Sequence, residues 1–223
     1  AHDLNNVLTP ILMTVQLLAL KLNEEQGKQW LKILETNAKR GADLVKQVVS
    51  FARGIEGERT LVQVRHLLGE IREIARETFA KTINVYTDIA QDLWTVSGDA
   101  TQLHQVLMNL CINARDAMPD GGRLSISAKN LFIDENYAQM NVDANVGSYI
   151  AITVSDTGTG IPPEILERIF EPFFTTKELG KGTGLGLSTV IGIIKSHGGF
   201  VNVYSEPGQG TAFKVYLPAL EEI

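Results

Sequence analysis

Residues 99–118, DATQLHQVLMNLCINARDAM, decide how the rest of this chain is read, because they describe a helix with two separate faces. At 100° per residue, Leu103, Val106, Leu107, Leu110, Ala114 and Ala117 fall on one broad arc that suits a hydrophobic core. Asn109, Asn113 and Asp116, spaced by four and then three, fall within about 60° of one another on a different arc. Short polar side chains of poor helix propensity on one stripe make either a solvated face or a ligand-facing one. Cys111, the single cysteine, lies in the apolar part of the same helix. It has no internal disulfide partner and is expected to be a small core residue.

The 223 residues suffice for one large domain or two small ones, and the 44% hydrophobic content is that of an ordinary globular protein. The net charge is -6 and there is no long basic run. Phosphate neutralisation along a nucleic acid needs clustered Lys and Arg, so nucleic acid is not an expected partner. No apolar run approaches the roughly 20 residues of a membrane span, and no signal-peptide pattern opens the chain. A soluble, cytoplasmic segment without membrane contact is expected. The first residues, Ala1-His2-Asp3-Leu4, already belong to a helical pattern with no cap and no initiator Met. That start fits a piece of a longer protein, with room for a sensory or membrane-anchoring region upstream.

Leu4, Leu8, Ile11, Val15, Leu18 and Leu22 step by four and three, which is a heptad seam. After a polar break over residues 23–27, Leu31, Leu34, Ala38, Gly41, Val45, Val48, Ala52 and Ile55 repeat the spacing. The pair reads as an antiparallel helical hairpin, kinked at Pro10. A lone hairpin cannot bury both seams, so residues 1–56 are expected to form a homodimer through a four-helix bundle. Gly54, Glu56, Gly57, Glu58 and Arg59 mark a linker to a second domain over residues 57–223.

In that second domain, strand patterns are expected at residues 61–64, 84–89, 93–96, 123–130, 149–155, 200–205 and 211–217, and helices at 67–79, 99–118 and 185–197. A polar loop is expected over 134–147. Strands and helices that do not alternate strictly indicate an α+β sandwich, a mixed sheet with helices on one face.

Asp156 shares strand parity with Ile150, Ile152 and Val154, so it should point to the buried face, where a carboxylate needs partners. Gly158 and Gly160, in Asp156-Thr157-Gly158-Thr159-Gly160, allow a backbone to approach a flat ligand. Thr211 shares parity with Phe213, Val215 and Leu217 and brings a hydroxyl to the same inner face. A carboxylate and a hydroxyl at one floor suit the amino edge of a purine, whereas DxGxG alone also describes a tight turn. Gly180-Lys181-Gly182-Thr183-Gly184-Leu185-Gly186 precedes a helix, whose free N–H groups and dipole favour phosphate. It is neither a Walker A loop nor part of a Rossmann unit. Before it, residues 170–177, FEPFFTTK, have the aromatic and polar composition of a lid.

The blocks Asn109-Leu110-Cys111-Ile112-Asn113-Ala114-Arg115-Asp116-Ala117, Asp156 to Gly160, Phe170 to Phe174 and Gly182-Thr183-Gly184-Leu185-Gly186-Leu187 resemble, in this order, the N, G1, F and G2 boxes of sensor histidine kinases of two-component systems. Gly208-Gln209-Gly210-Thr211 is similar to the G3 element, and His2-Asp3-Leu4-Asn5-Asn6 to an H box of the HDxNN type. The resemblance covers nearly the whole chain and implies a dimerisation and phosphotransfer hairpin followed by a Bergerat-type ATP-binding fold of the GHKL superfamily.

It implies ATP and Mg²⁺ as cofactors. Asn113 becomes the expected Mg²⁺ ligand with Asn109 in support, since amide oxygens and phosphate suit an ion that keeps several waters. Asp156 would accept from the adenine amino group, with Thr211 helping through water. Lys177 and Lys181 are candidates for phosphate contact or are solvated charges, and Asp116 and Phe170 complete the nucleotide-binding set. His2 would take the γ-phosphoryl group, for which a positioned neutral imidazole suffices. Asp3 would hold or deprotonate the ring, although adjacent helical residues do not normally face one another. Asn6 matches the residue that positions water when such kinases dephosphorylate their partner, a response-regulator receiver domain. Two other functions share parts of this pattern: a GHKL-type conformational ATPase and a non-catalytic dimeric ATP-binding scaffold. The ATPases carry a glutamate general base where this chain has Asn109, and an amide cannot abstract a proton from water. His66, His104 and His197 show no metal-ligand spacing and are expected to be structural or surface residues.

Overall fold

The computed structural model describes residues 59–177 and 183–221, and, before them, residues 11–16, 18, 27, 30–36, 38 and 41. The chain divides into two compact units, Ala1–Glu56 and Gly57–Ile223. In the first unit every described residue is helical, including Gly27, which the sequence places in the polar break. Val15, Leu31 and Ala38 of the predicted seams are buried, whereas Ile11, Leu18 and Leu34 stay exposed. The Gln16 amide donates to Glu35 Oε1 at 3.3 Å. Pro10, Leu22, the seam positions before residue 11 and after Gly41, and His2, Asp3 and Asn6 lie outside the described residues.

The second unit runs β1 (Thr60–Val62), α1 (Val64–Thr78), β2 (Ile83–Ile89), β3 (Val96–Gly98), α2 (Ala100–Asp116), β4 (Gly122–Ile133), α3 (Glu135–Met140), β5 (Gly147–Asp156), a 3₁₀ turn (Pro163–Ile165), α4 (Gly186–Ser196), β6 (Phe200–Glu206) and β7 (Gly210–Pro218). Five strands form a mixed sheet in the order β2-β4-β5-β7-β6, with β2 and β4 parallel and the other neighbours antiparallel. β1 and β3 form a separate antiparallel pair. This is the α+β architecture expected from the sequence.

The apolar stripe of α2 explains the main core. Leu103, Val106, Leu107, Leu110, Cys111 and Ala114 are all buried. Val64 and Leu67 of α1, Ile194 of α4, and Ile152, Val215 and Leu217 of the sheet surround the middle of this stripe. Burial pushes the Cys111 thiol up to about 12, so it stays protonated and inert. Asp99 starts the helix by accepting the N–H groups of Thr101 (2.8 Å) and Gln102 (3.1 Å). Pro119 and Gly121 follow its end, as the sequence predicts.

Three local expectations are corrected. Helix α1 begins at Val64 rather than Leu67, because Val64 is itself fully buried and extends the apolar stripe. The strand expected at 93–96 pairs regularly only from Val96. Before it, the Trp94 N–H is taken by the Asn130 side chain at 3.0 Å, and Thr95 bridges Leu220. The polar loop at 134–147 contains helix α3, capped by Asp134 accepting from Tyr137 N–H at 2.8 Å. Tyr137 and Ala138 of α3 pack on a second core of Ile133, Ala144, Tyr149, Ala151, Phe200 and Tyr216. Tyr149 and Ala151 have the opposite parity to Ile150 and Ile152, so the sheet carries apolar cover on both faces.

Candidate functional site

β5 and β7 end side by side. Asp156 pairs in register with Thr211, and both are buried, as their parity predicts. Asp156 Oδ1 accepts the Gly158 N–H at 2.8 Å. Burial pushes the Asp156 carboxyl above its ordinary value, against hydrogen bonds from the Gly158 and Thr211 backbone that pull it down. Thr211 Oγ1 lies 2.8 Å from Ser205 Oγ. Ser205 Oγ also accepts from Ile161 N–H (2.8 Å) and donates to Gly210 O (3.0 Å). A hydroxyl has one proton to give, so with Ser205 donating to Gly210, Thr211 must be the donor to Ser205. Its lone pairs are left for the inner face.

The glycines after Asp156 are also required by the protein's own packing. A Cβ at Gly158 would lie 2.4 Å from Ala117 O at the end of α2, and one at Gly160 would lie 2.1 Å from Glu206 O. Gly160 also has φ +70°. Thr159 N–H donates to Ala117 O at 3.0 Å and Thr159 O accepts from Gly208 N–H at 2.7 Å. The loop is thereby riveted to α2 on one side and to the β6–β7 turn on the other.

On the polar stripe of α2, Asn109 Nδ2 donates to Gly186 O at 3.3 Å, in the first turn of α4. Among the described residues the amide oxygen of Asn109 and the side chain of Asn113 have no hydrogen-bond partner. Among the described residues no side chain caps helix α4, which leaves its first N–H groups, from Gly186 and Leu187 onward, without a side-chain partner. Leu185 is buried at its start, and its N–H donates to Thr183 Oγ1 at 3.3 Å. Two neutral amide oxygens beside an open helix N-terminus are a donor set that fits a hard divalent cation sharing its shell with phosphate and water. Among the described residues no cluster of three His, Cys, Asp or Glu could hold a metal.

The segment between the sheet and α4 is pinned at three points. Phe170 packs edge-on against Phe213, with ring centroids 6.4 Å apart. Phe173 N–H donates to Gly184 O at 2.9 Å, and Phe173 holds a φ of 67°, a conformation a bulky residue adopts only when its surroundings enforce it. Gly184 has a φ of 67° as well, and a Cβ there would lie 2.3 Å from the Phe173 carbonyl carbon. Lys177 Nζ lies 2.6 Å from Asp116 Oδ2. Burial works against the charge on Asp116, but Lys177 and Arg115 outweigh it and hold the carboxyl below the usual range. Lys181 and Gly182 lie outside the described residues.

The sequence-chosen residues of α2, β5, β7 and the start of α4 therefore come together at one end of the sheet, and Lys177 reaches the same helix. One residue that the sequence reading missed supports them. Ser205 is opposite Thr211 in register and fixes its hydroxyl. Its place just before the turn Glu206-Pro207-Gly208-Gln209-Gly210 was the available signal. His197 is buried; its Nε2 accepts the Asp99 N–H at 3.1 Å while its Nδ1 lies 2.8 Å from Ile193 O, tying the end of α4 to the start of α2. His197 is thus structural, as expected.

Residues 98–221 match the family described as histidine kinase-, DNA gyrase B-, and HSP90-like ATPase. The chain belongs to this family and, by its relatives, to the histidine kinases within it. It is 44% identical over 224 residues to the sensor kinase CckA of Brucella abortus (strain 2308), covering 100% of this chain and 24% of that protein. It is 31% identical to the sensory histidine kinase/phosphatase NtrB of Azospirillum brasilense, covering 99% of this chain and 54% of the relative. Full-length ShkA, solved in complex with AMPPNP, superposes with a TM-score of 0.79 at 26% identity, over 99% of this chain and 45% of that one. The nucleotide-free catalytic domain of histidine kinase ThkA superposes with a TM-score of 0.60 at 30% identity, over 73% of this chain and 96% of that domain. The chain thus spans about a quarter to a half of these curated relatives. Among the described residues no helix is long and apolar enough to cross a membrane.

Proposed function

We propose that this chain is the core of a two-component sensor histidine kinase: it binds ATP, phosphorylates its own His2 and passes the phosphoryl group to an aspartate of a response-regulator receiver domain. The observation that carries the reading is the pairing of Asp156 with Thr211 at a buried sheet end, together with a helix α4 that has no side-chain cap and is tied through Gly186 to Asn109 of α2. Asp156 accepts from the adenine amino group, with the Thr211 hydroxyl beside it. The N–H groups of Gly186 and Leu187 face the phosphates, and Thr183, Gly184 and Leu185 shape the approach. Lys177, Lys181 and Gly182 complete the phosphate side. Asn113 and Asn109 hold Mg²⁺, which supplies charge neutralisation along the triphosphate.

Hydrolysis by water finds no base at Asn109, an amide already donating to Gly186. The phosphoryl group therefore needs an acceptor brought to the site, and His2 is that acceptor, with Asp3 orienting the imidazole and Asn6 serving the reverse, phosphatase step. Residues 1–56 dimerise as a four-helix bundle. In support, Ile11, Met13, Leu18, Trp30, Ile33 and Leu34 of a single chain remain exposed. Incubation with γ-labelled ATP is expected to label the wild-type chain at an acid-labile, alkali-stable position and to leave His2→Ala unlabelled. Undiminished labelling of His2→Ala overturns the assignment.

A further inference from the structure

The polar stripe of α2 ends in a carboxylate, and a carboxylate at the edge of a phosphate site repels the ligand. Its contacts give it another task. Asp116 Oδ2 holds Lys177 Nζ at 2.6 Å, across 61 residues of chain. Asp116 Oδ1 accepts from Arg115 Nε (2.9 Å) and Nη2 (2.7 Å), so both oxygens are engaged. Arg115 is itself fixed with its guanidinium 5.4 Å over the Phe79 ring. Asp116 follows Asn113 by three residues on the same helix, which puts the Lys177 ammonium about one turn from the amide of Asn113. Lys177 is tethered on its N-terminal side at Phe173, whose N–H is bonded to Gly184 O.

We infer that Asp116 is a positioning residue: it is the counter-anion that stores Lys177 at the mouth of the nucleotide site, and the phosphates of the nucleotide displace it. The inference rests on the ATP-binding reading above. Partner exchange is inexpensive here, because Asp116 keeps Arg115 when Lys177 leaves and neither charge is stranded. The side chains of Lys177 and Asp116 are 35% and 26% exposed, so the pair is strong enough to hold the lysine and weak enough to be exchanged. Asp116 then sets how steeply the site reads the number of phosphates, because every phosphate charge competes with one carboxylate for Lys177.

Binding of ATP, ADP and adenosine to the full 223-residue chain tests this, using wild type, Asp116→Asn, Lys177→Gln and the double variant. Asp116→Asn is expected to tighten ATP by roughly 2- to 10-fold, ADP by less, and adenosine not at all. Lys177→Gln is expected to weaken ATP without changing adenosine, and in its background the gain from Asp116→Asn should vanish. Asp116→Ser should reproduce the gain. Weaker ATP binding by Asp116→Asn, or a gain that survives in Lys177→Gln, overturns the exchange, the latter outcome pointing to plain repulsion by Asp116. Wild-type chain that binds neither ATP nor adenosine overturns the ATP reading itself, whereas normal wild-type binding with no effect of Asp116→Asn overturns the exchange alone.

Discussion

The two ends of the candidate site are built differently. Asp156 and Thr211 sit on adjacent strands in fixed register, both buried, and Ser205, Gly158, Ile161 and Gly210 close a hydrogen-bonded network around them. Asn109, Asn113, Asp116 and Lys177 sit on a helix stripe and a loop, partly exposed, with open amide oxygens and an ion pair that can trade partners. The difference teaches where each kind of recognition belongs. Reading a base by its hydrogen-bonding edge needs donors and acceptors held to a fraction of an ångström, which a sheet supplies. Gripping phosphates that arrive, react and leave needs charges that move, which a loop on a helix end supplies.

The largest expected effect attacks the rigid end. Asp156→Asn presents an amide donor where an acceptor is required and should weaken ATP and adenosine alike, by about 100-fold or more. Its stability should move the other way. The folded-state carboxyl lies above its ordinary value, so the wild-type fold is relieved of this penalty at low pH and carries it once pH rises through that value. Asp156→Asn should therefore melt no lower than wild type near pH 7, with its advantage shrinking as the pH falls through the carboxylate range. A variant that loses stability at neutral pH would break the view of Asp156 as a functional charge held at a structural cost.

At the adjustable end, Asn113→Ala should cut autophosphorylation by roughly 10- to 100-fold in Mg²⁺ while adenosine binding is retained. Equal losses for adenosine and ATP would erase the division between the two ends. The smallest effect is expected at Ser205→Ala, which strips Thr211 of its acceptor and leaves the Ile161 N–H without its partner. A loss of about 1 kcal/mol in stability, seen as a few degrees in Tm, should accompany a few-fold weaker adenosine affinity. An unchanged melting curve would show that the floor is less closed than its hydrogen bonds indicate.

Much of this arrangement is legible in the residues alone where a single periodicity governs them. The stripes of α2 follow from 100° per residue, and the inward direction of Asp156 and Thr211 follows from strand parity, because both are properties of local backbone geometry. The resemblance to histidine kinases rests on short blocks whose order needs no tertiary information. Helix α3 was not legible, since its partners Tyr149, Phe200 and Tyr216 lie on the sheet face opposite to Ile150 and Ile152, where no helix was expected. Ser205 was not legible either, because it acts through Thr211 on the opposite strand of a hairpin, and the partner of His197, the Asp99 N–H, lies 98 residues away.

The residues alone carry the α+β class of the second unit and nominate the candidate nucleotide-site residues and the candidate acceptor His2, because periodicity and motif order are written locally. The surroundings of Gly158, Gly160 and Asp116 come from folding instead: Ala117 O and Glu206 O, brought from elsewhere in the chain, leave no space for a side chain at the glycines, and Lys177 is brought to the Asp116 carboxylate.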